Sequence, residues 1–179
     1  DRSGEALDVR LADAGWEVHI ATLTAGDCGT TSETPWDISS IRTREARHAA
    51  SLVGAAYHCL DERDGFVVYD KPTLAKCVDL LRRIAPSLVF THPAKDYMMD
   101  HEMTSLLCRA ATFLYTMPNA PAHPAREGAA VPWLYYADPM DGVDPLGVPV
   151  APTTLVDITE QLDRKTEMLA AHASQRDWL

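Results

Sequence analysis

The side chains best suited to chemistry gather near the middle of the chain, in Thr91-His92-Pro93-Ala94-Lys95-Asp96-Tyr97-Met98-Met99-Asp100-His101-Glu102. A short apolar run, Ser87-Leu88-Val89-Phe90, leads into this stretch, and a run with helical spacing follows it. A strand that empties into a polar loop and then a helix is a common way to build a site, because ligands of open α/β sheets bind where strands end. Asp100 and His101 fall at the start of the helix. A neutral His101 imidazole can ligate a divalent metal, and an adjacent carboxylate can orient or tune it. The same two residues can also be read as an N-cap followed by a solvated first-turn histidine. Spacing alone leaves both readings open.

Three further places carry chemical side chains. Ala25-Gly26-Asp27-Cys28-Gly29-Thr30-Thr31-Ser32 is rich in glycine and hydroxyls, but it lacks the lysine of a P-loop and the spacing of a dinucleotide fingerprint. We read it as a tight turn lining a crevice. Arg42 and Glu45 stand three apart on a strong helix, where the default is a surface salt bridge of little energetic weight. Asp61-Glu62-Arg63-Asp64-Gly65 is an acidic loop at the end of a second strand.

The elements that must position these residues follow from periodicity. Gly4 to Ala14 reads as an amphipathic helix closed by Gly15, and Glu17 to Thr24 alternates as a strand in which His19 is a sheet residue. Ile38 to Gly54 is a helix, Ala56 to Leu60 a strand, and Thr73 to Ile84 a helix stopped by Pro86. Ser87 to Thr91 is a strand, and a helix runs from about His101 to Tyr115. Met117 to Val131 is a Pro/Ala-rich excursion, Pro132 to Tyr136 a strand, and Asp138 to Pro152 a long loop able to cover a pocket. Order resumes at Thr154 to Ile158, and Thr159 to about Gln175 is a last helix. Alternating strands and helices imply a single α/β, Rossmann-like domain over residues 1–179, its sheet mostly parallel and flanked by helices.

The totals narrow the function. The chain has 179 residues, 46% of them apolar and 23% charged, the make-up of one globular domain with a proper core. A formal net charge of −10 disfavours nucleic acid and anionic membranes as partners. No apolar run approaches the ~20 residues of a membrane span. Cys28, Cys59, Cys77 and Cys108 are widely spaced and lie mostly in apolar runs, as reduced, buried thiols do, which fits a cytoplasmic location.

Taken in order, several segments resemble the PIG-L/LmbE-like family of metal-dependent N-deacetylases. They are the first helix with Gly15 and the strand through Thr22-Leu23-Thr24-Ala25-Gly26, then Arg42-Thr43-Arg44-Glu45-Ala46 with Ala49-Ala50. Asp64-Gly65 follows, then Ala85-Pro86-Ser87-Leu88-Val89-Phe90-Thr91-His92 and Asp96-Tyr97-Met98-Met99-Asp100-His101. Val156-Asp157-Ile158-Thr159, Lys165 and His172-Ala173-Ser174-Gln175 complete the set.

The resemblance implies a zinc, or another divalent metal, held by two histidines and one aspartate, with His101 as the ligand visible in this chain. It implies removal of an acetyl group from the amide nitrogen of an N-acetylated sugar-like substrate by activated water and a carboxylate base. Asp100 and Arg42 are the implied catalytic residues, Asp100 beside the metal site and Arg42 over the oxyanion or the substrate hydroxyls. Arg42, Asp64, Tyr97 and His172 are the implied substrate-binding residues, with His92 and Gln175 nearby. A homo-oligomer is compatible with the resemblance. The family's His-Pro-Asp-Asp motif would stand just upstream of the first helix, and the count from Asp1 to Gly15 runs short for Asp1 to be its last residue. Met98 occupies a position where many members carry an oxyanion-stabilising histidine; Tyr97 and Tyr136 are candidates to fill that role. The rival expectations are a Rossmann-like small-molecule binding module whose site has decayed, and a nucleotide- or sugar-nucleotide-binding transferase using the Gly26–Ser32 loop.

Overall fold

The computed structural model describes residues 4–120 and 122–176, so Asp1 lies outside the described residues. Two compact units emerge: residues 1–64 with 154–179, and residues 65–153.

The first unit begins with α1 (Gly4–Asp13), which Gly15 closes at φ +82, a left-handed conformation that suits glycine. β1 (His19–Thr24) then leads through the Gly26–Gly29 turn into α2 (Pro35–Ser51). Three residues set the start of α2. Thr34 Oγ1 accepts from Asp37 N and donates to Asp37 Oδ2, while Pro35 supplies a preset φ. The helix therefore starts three residues before the first apolar position of its periodic face. β2 (Ala56–Glu62) pairs in parallel with β1, His19 opposite Ala56, in the βαβ arrangement that parallel strands need. The register slips by one residue between Thr22 and Thr24, where Asp61 of β2 sits at φ 55. This bulge carries β2 two residues beyond its expected end and aims the chain toward Asp64.

The unit closes with a 3-10 turn (Thr159–Gln161), α5 (Leu162–Ala170) and a second 3-10 turn (Ala173–Gln175). Val9, Ala49, Val53 and Met168 form a buried cluster, flanked by Ile20 and Ala55, so α1, α2 and α5 share one core. The single last helix expected from Thr159 to Gln175 is broken at His172 (φ −84, ψ 61). The cause is a long-range bond: Glu45 accepts the backbone N–H of Ser174 at 2.8 Å and its hydroxyl at 2.6 Å, which draws the last turn onto α2. Thr154 to Ile158 adopts no regular element. Asp157 Oδ1 instead accepts the N–H and hydroxyl of Thr159 at the start of the 3-10 turn.

The second unit starts with the Gly65–Tyr69 segment and α3 (Lys71–Ile84). Asp70 caps α3 by accepting from Thr73 N at 2.8 Å, and Ala85 (φ 53) with Pro86 ends it. β3 (Leu88–Thr91), α4 (Met99–Leu114) and β4 (Trp133–Tyr136) form a second parallel βαβ unit, Leu88 opposite Trp133, with α4 packed on α3 and on both strands. Arg82 is buried and donates to the carbonyls of Tyr115, Met117, Ala120 and His123, a structural clamp on the excursion that follows α4. His123 meets Asp79 on α3.

The fold is mixed α/β, with small parallel sheets flanked by helices. Each parallel pair is the product of one βαβ crossover, and among the described residues the further pairing is an isolated antiparallel bridge between Val143 and Pro149. Among the described residues no helix is long and apolar enough to cross a membrane. All four cysteines are free; Cys77 is buried but Cys28 is exposed, so the expectation of mostly buried thiols does not extend to it.

Candidate metal centre

α4 begins at Met99, two residues earlier than expected, with Met98 in the capping position and no side-chain cap. The loop before it is tied to the helix by polar side chains. Asp96 N donates to Glu102 Oε1 at 3.0 Å, and Asp96 Oδ1 accepts from Met98 N at 3.0 Å. The same Asp96 oxygen lies 3.0 Å from His101 Nδ1. Asp96 is therefore a buried carboxylate with its N–H and one oxygen engaged locally, and it fixes how the His101 ring faces.

His92 completes the group. Its ring lies on that of His101, centroids 4.1 Å apart and planes at 7°, and Tyr97 meets His101 edge-on at 5.7 Å. Two charged imidazoles stacked this closely would repel. Burial first, and then the nearby His101, together push the His92 pKa down to about 4 against the opposing pull of Asp96, so His92 is neutral near pH 7. His92, Asp96 and His101 each present one ligand atom, and all three atoms lie within 4.8 Å of one another. Two imidazoles and one carboxylate are a donor set that suits zinc and similar borderline divalent ions. The residues fit a metal.

Asp100 takes another part. It is buried in the first turn of α4, and its two oxygens accept from Gly65 N at 2.7 Å and Val67 N at 3.2 Å. It is not an N-cap, and its lone pairs are directed to a neighbouring backbone segment. Tyr97 is exposed beside the cluster.

Arg42, Asp64, His172 and Gln175 lie in the first unit, whereas Tyr136 ends β4 in the second. Arg42 and Glu45 do not pair with each other. Arg42 Nη1 donates to Gly26 O at 2.5 Å and Nη2 to Gly29 O at 2.6 Å, while Glu45 holds Ser174. Carbonyls thus line the Arg42 side of the Gly26–Gly29 turn. A Cβ at Gly26 would run into Arg42 Nη1, and one at Gly29 would stand 2.7 Å from it. The guanidinium fills the space that a phosphate-cradling loop would keep open. Arg42 Nε and His172 Nδ1 are both buried without a hydrogen-bond partner. Burial lowers the His172 pKa against the opposing pull of Glu45, with Arg42 adding to the lowering. Asp64 accepts a long 3.5 Å contact from Thr24 Oγ1, and its N–H donates to Asp27 Oδ1 at 2.7 Å. His19 and His58 stack across β1 and β2 and share a 3.0 Å nitrogen–nitrogen contact, as sheet residues.

The structure therefore brings His101 and Tyr97 together, and Arg42 near His172, within their own units. Asp96 was not singled out from the sequence. A carboxylate five residues before a helix-start histidine was its only signal, because nothing in the pattern shows the loop folding back on the first turn.

Comparison with known proteins agrees with this fold. A 4-oxalmesaconate hydratase of Pseudomonas putida KT2440 is 28% identical over 97% of this chain and 68% of its own length. The crystal structure of a 4-carboxy-2-hydroxymuconate hydratase from the same organism matches with a TM-score of 0.81 at 25% identity, covering 97% of this chain and 73% of that one. An N,N'-diacetylchitobiose deacetylase from Pyrococcus horikoshii matches at 0.77 with 24% identity over 97% of this chain and 65% of that one, a likeness of fold. The model of the GlcNAc-PI de-N-acetylase family, PIG-L, matches residues 5–112, well over half the chain, and with the motifs in their expected order it places this protein in the PIG-L family.

Proposed function

We propose that this protein is a metal-dependent enzyme that uses water as its nucleophile, and that its reaction is removal of an acetyl or other acyl group from the amide nitrogen of a small sugar-like molecule. The observation that carries the reading is the convergence of His92, Asp96 and His101 at the carboxyl end of β3. The residues that would hold the cation are His101, Asp96 and neutral His92. A divalent ion there supplies an acidified water and polarises a carbonyl.

The chain's own residues do the remaining work. Asp96 orients the His101 ring, so the histidine need not lose ring freedom on binding. Tyr97 offers a hydroxyl and a ring face beside the same group. Asp100 acts in this reading by holding the Gly65–Val67 segment to the start of α4, a positioning part in place of proton transfer. For Arg42, Asp64 and His172, in the first unit, a substrate-binding part is carried by the family resemblance alone.

A second reading has a specific observation behind it. The relative at 28% identity is a hydratase, and Met98 stands where the deacetylase pattern implies an oxyanion-stabilising histidine. In that reading the same water adds to a carbon–carbon double bond of an unsaturated carboxylate.

Metal analysis by mass spectrometry, beside two turnover assays, decides. About one zinc per chain, lost in His101→Ala and weakened about 10–100-fold in Asp96→Asn, establishes the centre. Release of acetate from N-acetylglucosamine derivatives then supports the deacylase reading, and loss of the ultraviolet absorbance of unsaturated dicarboxylates supports the hydratase. Wild-type protein that takes up no metal when zinc is supplied refutes both.

A further inference from the structure

Glu102 belongs to the first turn of α4, and its backbone N–H bonds the carbonyl of Met98, the capping position, at 3.3 Å. Helical side chains lean toward the N-terminus, so a glutamate here reaches back over the chain that enters the helix. Its Oε1 accepts the backbone N–H of Asp96 at 3.0 Å. The Asp96 carboxylate bonds in the forward direction: Oδ1 accepts from Met98 N at 3.0 Å and lies 3.0 Å from His101 Nδ1. Asp96 is thus pinned at both its amide and its carboxylate. Among these contacts Glu102 is the one side chain outside the group of His92, Asp96 and His101. A negative charge in the first turn also suits the helix dipole, so local helix stability by itself accounts for an acidic residue at this position. The bond to Asp96 is what this glutamate adds.

We propose that Glu102 is a positioning residue of the metal centre: by accepting the Asp96 amide it holds the Asp96 carboxylate against His101 and so sets the affinity of the centre for a divalent cation. The inference rests on the metal-dependent reading above. A ligand carboxylate held in place by its own loop loses less freedom on meeting the cation. Without the Glu102 oxygen, the backbone at Asp96 can turn and carry the carboxylate off the histidine. Partners that orient a metal's ligands typically change affinity by about 10–100-fold when removed, and a partner acting through the backbone belongs at the lower end.

The test is the zinc affinity of the whole chain, by competition with a chromophoric chelator, beside hydrogen exchange of the Asp96 amide in the metal-free protein. The variants are Glu102→Ala, Glu102→Gln and, as a control in the same turn, Thr104→Ala, which removes a 2.6 Å bond to Asp100 O. Glu102→Ala is expected to bind zinc about tenfold more weakly and to lose protection at the Asp96 amide. Glu102→Gln keeps an acceptor oxygen at the same reach and should stay within about twofold of wild type, as should Thr104→Ala. Loss in Glu102→Gln as large as in Glu102→Ala overturns the inference, because the charge and not the bond then matters. Equal loss in Thr104→Ala overturns it too, because any weakening of the turn then suffices. The two readings fail differently. Wild type that binds zinc no more tightly than Glu102→Ala sinks this inference and leaves the metal centre standing, whereas wild type that takes up no zinc sinks both.

Discussion

Replacing Asp100 by alanine separates a positioning part from a catalytic one. The carboxylate is buried and accepts two backbone N–H groups, from Gly65 at 2.7 Å and Val67 at 3.2 Å. Hydrogen bonds to a charged acceptor contribute about 1.5–3 kcal/mol, and a buried donor left without a partner costs about 1–3 kcal/mol. The Val67 bond is the longer of the two and contributes less. We therefore expect Asp100→Ala to lose about 3 kcal/mol, and Asp100→Asn about half of that, because the amide keeps one acceptor oxygen. For a chain of this length, 3 kcal/mol corresponds to a fall in Tm of roughly 6–12 °C. Urea unfolding gives the free energy, and amide hydrogen exchange locates it: Gly65 and Val67 should lose protection while amides in β1 and β2 keep theirs. Zinc content should be unaffected by either substitution. Stability within about 0.5 kcal/mol of wild type, with Gly65 and Val67 still protected, would refute the reasoning. Loss of turnover without loss of stability or protection would return Asp100 to a direct part in the chemistry.

The remaining predictions are shorter. The His92 pKa is about 4 folded and near its ordinary value unfolded, so the unfolded chain binds the extra proton between those values. Stability of the metal-free protein is therefore lost as pH falls from about 6.5 toward 4, by about 2 kcal/mol between pH 7 and pH 5, and is level below both values. His92→Gln should flatten that slope in urea titrations, and an unchanged slope would count against it. Gly26→Ala meets two penalties at once, a φ of +70 and a collision with Arg42, and should cost about 2 kcal/mol in urea unfolding. If the loss is below about 0.5 kcal/mol, the guanidinium does not pack this turn in solution.

Much of the fold was legible in the local pattern of residues. The apolar spacing of Thr73–Ile84 with Pro86 behind it gave α3 almost whole, and Gly15 marked the end of α1 at the residue that needs a positive φ. The strands around Val89 and Leu134 and the parallel βαβ order came from the same local signals. Helix starts were read late where polar or proline residues make the first turn, as at Pro35 and Met99, because an apolar face has no period there to detect.

The site was legible only in part. His101 stood out by its place at the end of a strand–loop run, and Tyr97 by its neighbourhood. The partners of Asp100, Arg42 and Glu45 did not: they lie 33 to 35, 13 to 16 and 129 residues away along the chain. Local periodicity determined which segments became helix or strand, since propensity and burial act over one or two turns. Only the tertiary structure decided which carboxylate orients His101, which one holds Gly65 and Val67, and which arginine fills the glycine turn. A side-chain hydrogen bond is specified by where two groups meet in space, and that meeting leaves no period in the sequence.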